Sequence, residues 1–318
     1  MLTHANLVAN ALIAERALEL TRGSRIFGVA PMFHVTGFEL QLVAGFAAGA
    51  SQVLTYRFQP AVVLEAFIER RPTFIVGAIT AFIALMNHPN ATSEHFASFA
   101  HIYSGGAPIA PAVVQAFARR FGRDIRSSYG MTELTAPSHL APLEGPIPVD
   151  PASGALSIGV PTPGVDAIIV DEQRRPLPAG QHGEVVVRSP GGMAGYWGKP
   201  QETAEVLVGG WMHTGDIGFM DADGWFYLVD RKKDMISASG FKVWPREVED
   251  VLYAFPGVRE AAVVGAPDAY RGETVIAFVS AEPGAALDVA ALAAFCRERL
   301  AAYKQPAEIR VLDDLPKT

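Results

Sequence analysis

The chain is 318 residues long, and at about 150 residues per domain that length is a prior for two domains, each able to bury a core. Half of the residues are hydrophobic and 19% are charged, the balance of a globular rather than a disordered chain. Lys plus Arg number 26 and Asp plus Glu 33, a net charge of −7 without the basic footprint of a nucleic-acid binder, and the single cysteine, Cys296, excludes an internal disulfide framework and a multi-cysteine metal site.

The first residues, Met1-Leu-Thr-His-Ala-Asn, lack the basic and apolar regions of a signal peptide. No uninterrupted apolar run has the length of a membrane span. A cytoplasmic protein without a transmembrane segment or a nucleic-acid partner is therefore expected. Thr3 can cap a helix through about Leu20, with Leu7, Val8, Ala11, Leu12 and Ala14 as its apolar stripe. Strands are expected at Arg25 to Ala30, Ser51 to Tyr56, Thr73 to Ala78, His101 to Ser104 and Asp124 to Ser128. Helices are expected between them at Phe38 to Ala48, ending at Gly49, at Pro60 to Arg70, and at Pro111 to Phe121, with one more ending near Pro89. That alternation implies a largely parallel sheet covered by helices.

After about Leu140 the composition turns to Pro and Gly, and short strands follow at Asp166 to Val170, Gly183 to Arg188 and Trp225 to Val229. They read as an antiparallel β-rich part, with turns such as Asp221-Ala-Asp-Gly. From near Arg231 the pattern is a small α+β module: helices at Pro245 to Phe255 and Val289 to Ala302, strands at Ala261 to Val264, Thr274 to Ser280 and Glu308 to Val311. The chain begins on the start of a helix and stops in Leu315-Pro316-Lys317-Thr318, and neither end reads as a domain boundary.

Generic motifs fail. There is no G-x-x-x-x-G-K-[ST], no helix-opening G-x-G-x-x-G and no H-E-x-x-H, and Ser104 lacks the flanking glycine of a nucleophile elbow. Three other segments carry chemistry. Tyr103-Ser-Gly-Gly-Ala-Pro108 ends a strand in two glycines, so backbone can approach a flat ligand; a plain strand-to-helix turn is the bland alternative. Ser127-Ser-Tyr-Gly-Met-Thr-Glu133 follows a strand's carboxyl end, where open α/β sheets bind ligands. Tyr129 offers a stacking face, Gly130 a close backbone, Thr132 a hydroxyl for a phosphate oxygen, and Glu133 a hard carboxylate for Mg²⁺. The third runs from Trp211-Met-His-Thr-Gly-Asp216 through Asp230-Arg-Lys-Lys-Asp234 to Ser239-Gly-Phe-Lys-Val-Trp-Pro-Arg-Glu-Val-Glu249. Asp216 could accept from a ribose diol, Arg231 offers forked donors, and the 230–234 charge run is either a solvated turn or a hinge.

Together and in this order, these segments make the chain resemble the adenylate-forming, AMP-binding superfamily. Pro31-Met-Phe-His-Val-Thr-Gly37, Gly183-Glu-Val-Val-Val-Arg188 and Gly195-Tyr-Trp197 look like further blocks of that family. Arg231-Lys-Lys-Asp-Met-Ile and the 239–249 segment most resemble medium- or long-chain fatty acyl-CoA synthetases. The resemblance implies an α/β fold: a partial large adenylating domain over 1–231 (an α/β part at 1–145, a β-rich part at 146–231) and a truncated, small α+β lid at 232–318. It implies an ATP-dependent acid–thiol ligase acting on a carboxylic acid, ATP and CoA with Mg²⁺, through an acyl-adenylate and then a thioester.

By position, the resemblance places Gly106, Ala107 and Pro108 beside the adenine, with Ser128, Tyr129 and Gly130 completing the nucleotide loop. Thr132 and Glu133 take the catalytic roles, at phosphate and at metal, and Asp216 and Arg231 grip the ribose. His34, Val35, Gly37 and Phe38 shape the acyl pocket; without its motif, His34 would read as a core histidine. Lys233 falls at the hinge, and Ser239, Gly240 and Phe241 on the CoA side. The family's phosphate loop and N-terminal lobe, which precede the Met1-Leu-Thr-His segment, and the Gly-Lys that follows Leu-Pro-Lys-Thr are not in these 318 residues, so the chain is expected to be an inactive or impaired fragment. The alternatives are an aryl-acid CoA ligase, an amino-acid adenylation domain, for which Glu39 is the one acid near the pocket motif, and a non-catalytic nucleotide-binding module.

Overall fold

In the computed structural model, the strands expected in the first part of the chain form β1 (Arg25–Gly28), β2 (Ser51–Leu54), β3 (Phe74–Gly77), β4 (His101–Gly105) and β5 (Ile125–Tyr129). Two short strands follow, β6 (His139–Leu140) and β7 (Val160–Pro161). They make one sheet in the order β2-β1-β3-β4-β5-β6-β7, parallel from β2 to β5 and antiparallel at β6 and β7. The helices of this part are α1 (His4–Ala17), α2 (Ala44–Ala47), α3 (Pro60–Arg70), α4 (Ile79–Asn87), α5 (Ser93–Phe96) and α6 (Pro111–Phe121). The structure describes residues 1–316 apart from 108, 232–233, 239–240, 269–271 and 283, with the backbone alone at 230, 231 and 242.

Local chemistry accounts for the helix ends. Thr3 caps α1 by accepting from the Asn6 backbone N–H, and Asn6 returns the bond to the Thr3 backbone. Pro60 and Pro111 open α3 and α6 at the first-turn position where a missing N–H costs nothing. One expectation changes: the helix expected over Phe38 to Ala48 is a π-helix over Thr36–Val43 that continues as α2. Such wide turns are rare and concentrate at functional sites.

One face of the sheet packs on α3 to α6 through an aromatic core. Phe67 meets Phe27 at 4.9 Å and Phe99 at 4.8 Å between ring centroids; Phe96 meets Phe121 at 4.4 Å and Phe117 at 5.0 Å. The other face packs on α1 and α2 through Ala11, Ala14, Leu18, Ile26, Phe74, Val76 and Tyr103.

A second sheet contains β8 (Asp166–Val170), β9 (Gly183–Arg188), β10 (Leu207–Val208), β11 (Trp211–Met220) and β12 (Phe226–Arg231), ordered β10-β11-β9-β8 with β12 on β11; α7 (Pro200–Val206) precedes β10. A third contains β13 (Ile236–Ala238), β14 (Phe241–Val243), β15 (Val258–Asp268), β16 (Gly272–Ala281) and β17 (Glu308–Leu312), ordered β14-β13-β16-β15 with β17 parallel on β16. Helices α8 (Pro245–Tyr253) and α9 (Val289–Arg299) bury Val248, Leu252, Leu292 and Cys296 with Val275, Ala277 and Val279 of β16. The strand expected at Ala261 to Val264 is longer because β15 pairs with β16 over its whole length. The last helix stops early because Leu300 turns to an extended conformation and is buried.

The chain divides into two compact units, one of Met1–Pro151, Ala155–Thr214 and Phe219–Leu228, the other of Ala152–Gly154, Gly215–Gly218 and Val229–Thr318. Phe67 is 1% exposed at the centre of the aromatic core. Phe67→Ala should therefore destabilise the first unit by about 3–5 kcal/mol, read as a lower denaturant midpoint at unchanged slope.

Candidate functional site

Strand pairing brings two of the three sequence motifs together. β4 and β5 run parallel with Gly105 opposite Ser128 and Ser104 opposite Ser127. A Cβ on Gly105 would stand 2.4 Å from the Ser128 carbonyl oxygen, so only glycine permits this approach. Gly106 then turns the chain with φ +82°, and Gly106 and Ala107 are exposed. Pro108 lies outside the described residues. Both loops leave the carboxyl ends of neighbouring parallel strands, the place where open α/β sheets take ligands.

Beyond β5 the chain closes a compact turn. Ser128 is half-buried and Tyr129 is 9% exposed. The Tyr129 ring stands edge-on to His139 at 5.5 Å, and His139 packs edge-on to Phe226 at 4.7 Å. His139 is fully buried with Ser138 Oγ 3.0 Å from its Nδ1 and no hydrogen-bond partner for Nε2. Burial pushes its pKa down to about 3, so the ring beside Tyr129 is neutral at physiological pH. A Cβ on Gly130 would meet Pro137 Cα at 3.0 Å and Ala136 Cα at 3.1 Å, a tight fit against the backbone that leads to β6. Thr132–Leu134 is a single 3-10 turn, Thr132 exposed and Glu133 half-buried. Thr135 then takes the left-handed conformation, φ 59°, which a β-branched residue adopts only under constraint. The constraint is visible: its side chain is buried and donates to the Gly191 carbonyl at 2.6 Å.

Glu133 is held from two sides. Its backbone carbonyl accepts from the Met193 N–H at 2.8 Å, and its Oε1 accepts from the Tyr196 hydroxyl at 2.8 Å. Partial burial first, and then the Glu133 hydrogen bond and charge, push the Tyr196 phenol up to about 12. Tyr196 therefore remains a donor across the physiological range. In the sequence Tyr196 is only part of the Gly195-Tyr-Trp197 block; no spacing rule links it to Glu133, 63 positions away.

Of the residues expected at the acyl pocket, His34 and Val35 precede the π-helix and Gly37 and Phe38 lie in its first turn. His34 is exposed rather than a core histidine, and its Nδ1 accepts from the Thr36 N–H at 3.2 Å. Val35 is half-buried, Gly37 buried and Phe38 39% exposed. A Cβ on Gly37 would lie 2.2 Å from the Pro31 carbonyl oxygen, which ties the motif loop to the helix start. The next residue, Glu39, is fully buried and neither carboxylate oxygen has a hydrogen-bond partner. Burial pushes its pKa up to about 8.

Asp216 lies half-buried in β11 after Gly215, whose φ is +73°. Arg231 ends β12, with its side chain outside the described residues, as are Lys233, Ser239 and Gly240. Phe241 opens β14, is 55% exposed and stacks on Tyr303 at 4.7 Å. Beside that stack, Lys304 Nζ donates to both carboxylate oxygens of Glu247 at 2.5 and 2.6 Å. Among the described residues no group of three or more His, Cys, Asp or Glu could hold a metal ion. One carboxylate at Glu133 nonetheless suits Mg²⁺, which is commonly held by one or two carboxylates and substrate phosphates. No helix among the described residues is long and apolar enough to cross a membrane.

The family model for AMP-binding enzymes matches residues 1–197, and that for the AMP-binding enzyme C-terminal domain matches 247–318. A long-chain-fatty-acid–CoA ligase of Bacillus subtilis (strain 168) is 39% identical over the whole chain, which spans 56% of that protein. A feruloyl-CoA synthase of an Amycolatopsis species is 37% identical, again over the whole chain and 64% of the relative. Among solved structures, ATP-bound MatB from Rhodopseudomonas palustris superposes with a TM-score of 0.93 at 30% identity, over all of this chain and 62% of that one.

The buried carboxyl of Glu39 has a signed consequence. Between about 4.5 and about 8 the folded state holds its proton and the unfolded state does not, so stability falls as pH rises through that window. In Glu39→Gln the stability-against-pH curve should lack this fall, which is at most about 1.4 kcal/mol per pH unit. Parallel curves for the two proteins in denaturant titrations from pH 5 to pH 8 would contradict the assignment.

Proposed function

This chain belongs to the AMP-binding enzyme family, and from that premise we propose that its function is that of an ATP-dependent acid–thiol ligase. The carboxylate oxygen of an acid attacks the α-phosphorus of ATP, the bond to pyrophosphate breaks, and an acyl-adenylate forms. The thiol of CoA then attacks the acyl carbon, and AMP leaves. The observation that carries this reading is the convergence of Gly105–Ala107 and Tyr129–Glu133 at two adjacent strand ends.

In this reading the Gly106–Pro108 loop and the Ser128–Gly130 backbone flank the adenine, with the Tyr129 ring held by His139. The exposed Thr132 hydroxyl donates to a phosphate oxygen. Glu133 offers Mg²⁺ a carboxylate oxygen, while Tyr196 occupies its Oε1. Bound with the phosphates, the metal supplies charge neutralisation, which phosphoryl chemistry needs more than covalent help. Asp216 and Arg231 take the ribose hydroxyls. Residues 1–231 form the large adenylating domain and 232–318 the lid, with Lys233 at the hinge and Ser239, Gly240 and Phe241 toward CoA.

For the acid we propose a fatty acid, supported by the 39% identity to a fatty-acid ligase and by the resemblance of the 231–236 and 239–249 segments to fatty acyl-CoA synthetases. An aryl acid is the second reading, favoured by the 37% identity to a feruloyl-CoA synthase. Pyrophosphate release separates them, measured on this chain with any sequence that its gene encodes on either side. Fatty acids from hexanoate to stearate should exceed hydroxycinnamic acids and amino acids, and Glu133→Gln should lower kcat/KM about 10–100-fold. Preference for hydroxycinnamic acids would select the second reading; no release with any acid would overturn the ligase assignment.

A further inference from the structure

The turn that carries Thr132 and Glu133 is fastened from a helix that no motif marked. Asn10 is on α1, fully buried, on the side of the helix that packs with Ala11 and Ala14. Its Nδ2 stands 2.5 Å from the Thr135 carbonyl oxygen, 2.6 Å from that of Ala136 and 3.3 Å from that of Leu134. An amide nitrogen has two hydrogens, so the two short contacts are its hydrogen bonds and the Leu134 carbonyl is the weaker third. Its Oδ1 has no hydrogen-bond partner. An asparagine buried with an unmatched acceptor is costly. The other half of the amide must therefore repay that cost in the turn it holds.

The place of these carbonyls in the turn matters. Leu134 ends the 3-10 turn, Thr135 is the left-handed residue, and Ala136 begins the return to β6. Without a donor, three successive carbonyls would face a dry helix surface. A Cβ on Gly191 would lie 2.6 Å from the Leu134 carbonyl oxygen and 3.5 Å from Asn10 Cβ, so Asn10, the turn and the 189–196 segment close around one point. From that segment Gly191 accepts from Thr135, Met193 donates to the Glu133 carbonyl, and Tyr196 donates to its carboxylate.

We propose that Asn10 is a positioning residue for the phosphate and metal groups, acting through the backbone carbonyls of Leu134, Thr135 and Ala136 and touching no ligand itself. The inference rests on the reading of Thr132 and Glu133 given above. It assigns to Asn10 the aim of the Glu133 carboxylate and of the Thr132 hydroxyl, and leaves the adenine side, which β4 and β5 form, independent of it.

Two readouts test it on the intact chain, in Asn10→Leu, similar in size but without a donor. Hydrogen exchange without ligand should show the amides of Leu134, Thr135 and Ala136 exchanging at least about tenfold faster, with those of Ile102, Tyr103 and Ile125 unchanged. Calorimetric titration should show Mg-ATP bound about 10–100-fold more weakly and metal-free AMP changed by less than about twofold. If Asn10→Leu does not fold, Asn10→Ser, smaller and too short to reach the carbonyls, supplies the same two measurements. Unchanged exchange at the three turn amides, or equal losses for Mg-ATP and AMP, would overturn the proposal. Failure of the parent chain to bind either nucleotide would overturn the nucleotide reading instead, and the exchange data would still decide whether Asn10 holds the turn.

Discussion

No side chain fits between the ends of β4 and β5. A Cβ on Gly105 would overlap the Ser128 carbonyl, at 2.4 Å, and the rest of the site follows from that closeness. Parallel pairing sets Gly105 against Ser128, which puts the Gly106–Ala107 turn and the Tyr129–Glu133 turn side by side. The aromatic core of Phe67, Phe96, Phe99 and Phe117 packs α3 to α6 on the sheet behind them. Close-packed interiors deform little, so the two turns inherit a fixed separation from the fold.

The exposed chemistry sits on a braced turn. Thr132 is exposed and Glu133 half-buried, whereas the residues after them are buried to Ala141. The left-handed Thr135 costs on the order of 1–3 kcal/mol. That strain persists because Thr135, Glu133 and the following carbonyls are each hydrogen-bonded from a distant segment. A carboxylate held at both its backbone and one oxygen keeps its second oxygen in a defined direction, the preorganisation that phosphate chemistry requires. Tyr196 suits this task because its phenol stays protonated beside the carboxylate it serves. Neutral His139, packed against Tyr129, brings no charge to the turn that follows β5.

The sequence reveals what is local or periodic. Central β3 reads as a short apolar run because both faces of a parallel sheet are buried there, and Pro60 and Pro111 mark two helix starts. Gly105 and Gly106 are legible as a backbone that must come close to something. The π-helix was not legible, because Phe38 to Ala48 has the apolar content of an ordinary helix and the widened turn leaves no compositional mark. Asn10 and Tyr196 were legible as residues but not as roles. Each acts on the 133–136 turn from more than 60 positions away, and no spacing rule reaches that far. One signal for Asn10 existed: an amide at the edge of the apolar stripe of α1, where an alanine or leucine packs more cheaply. For Glu39, adjacency to the pocket motif was visible, but its burial without a partner was not.

The central claim is that the nucleotide lies against the ends of β4 and β5. A crystal structure of this chain soaked with AMP tests it most directly. Adenine density is expected between the Gly105–Ala107 backbone and the Tyr129 ring, with the phosphate toward Thr132. AMP density elsewhere on the chain, with these two turns empty, would contradict it.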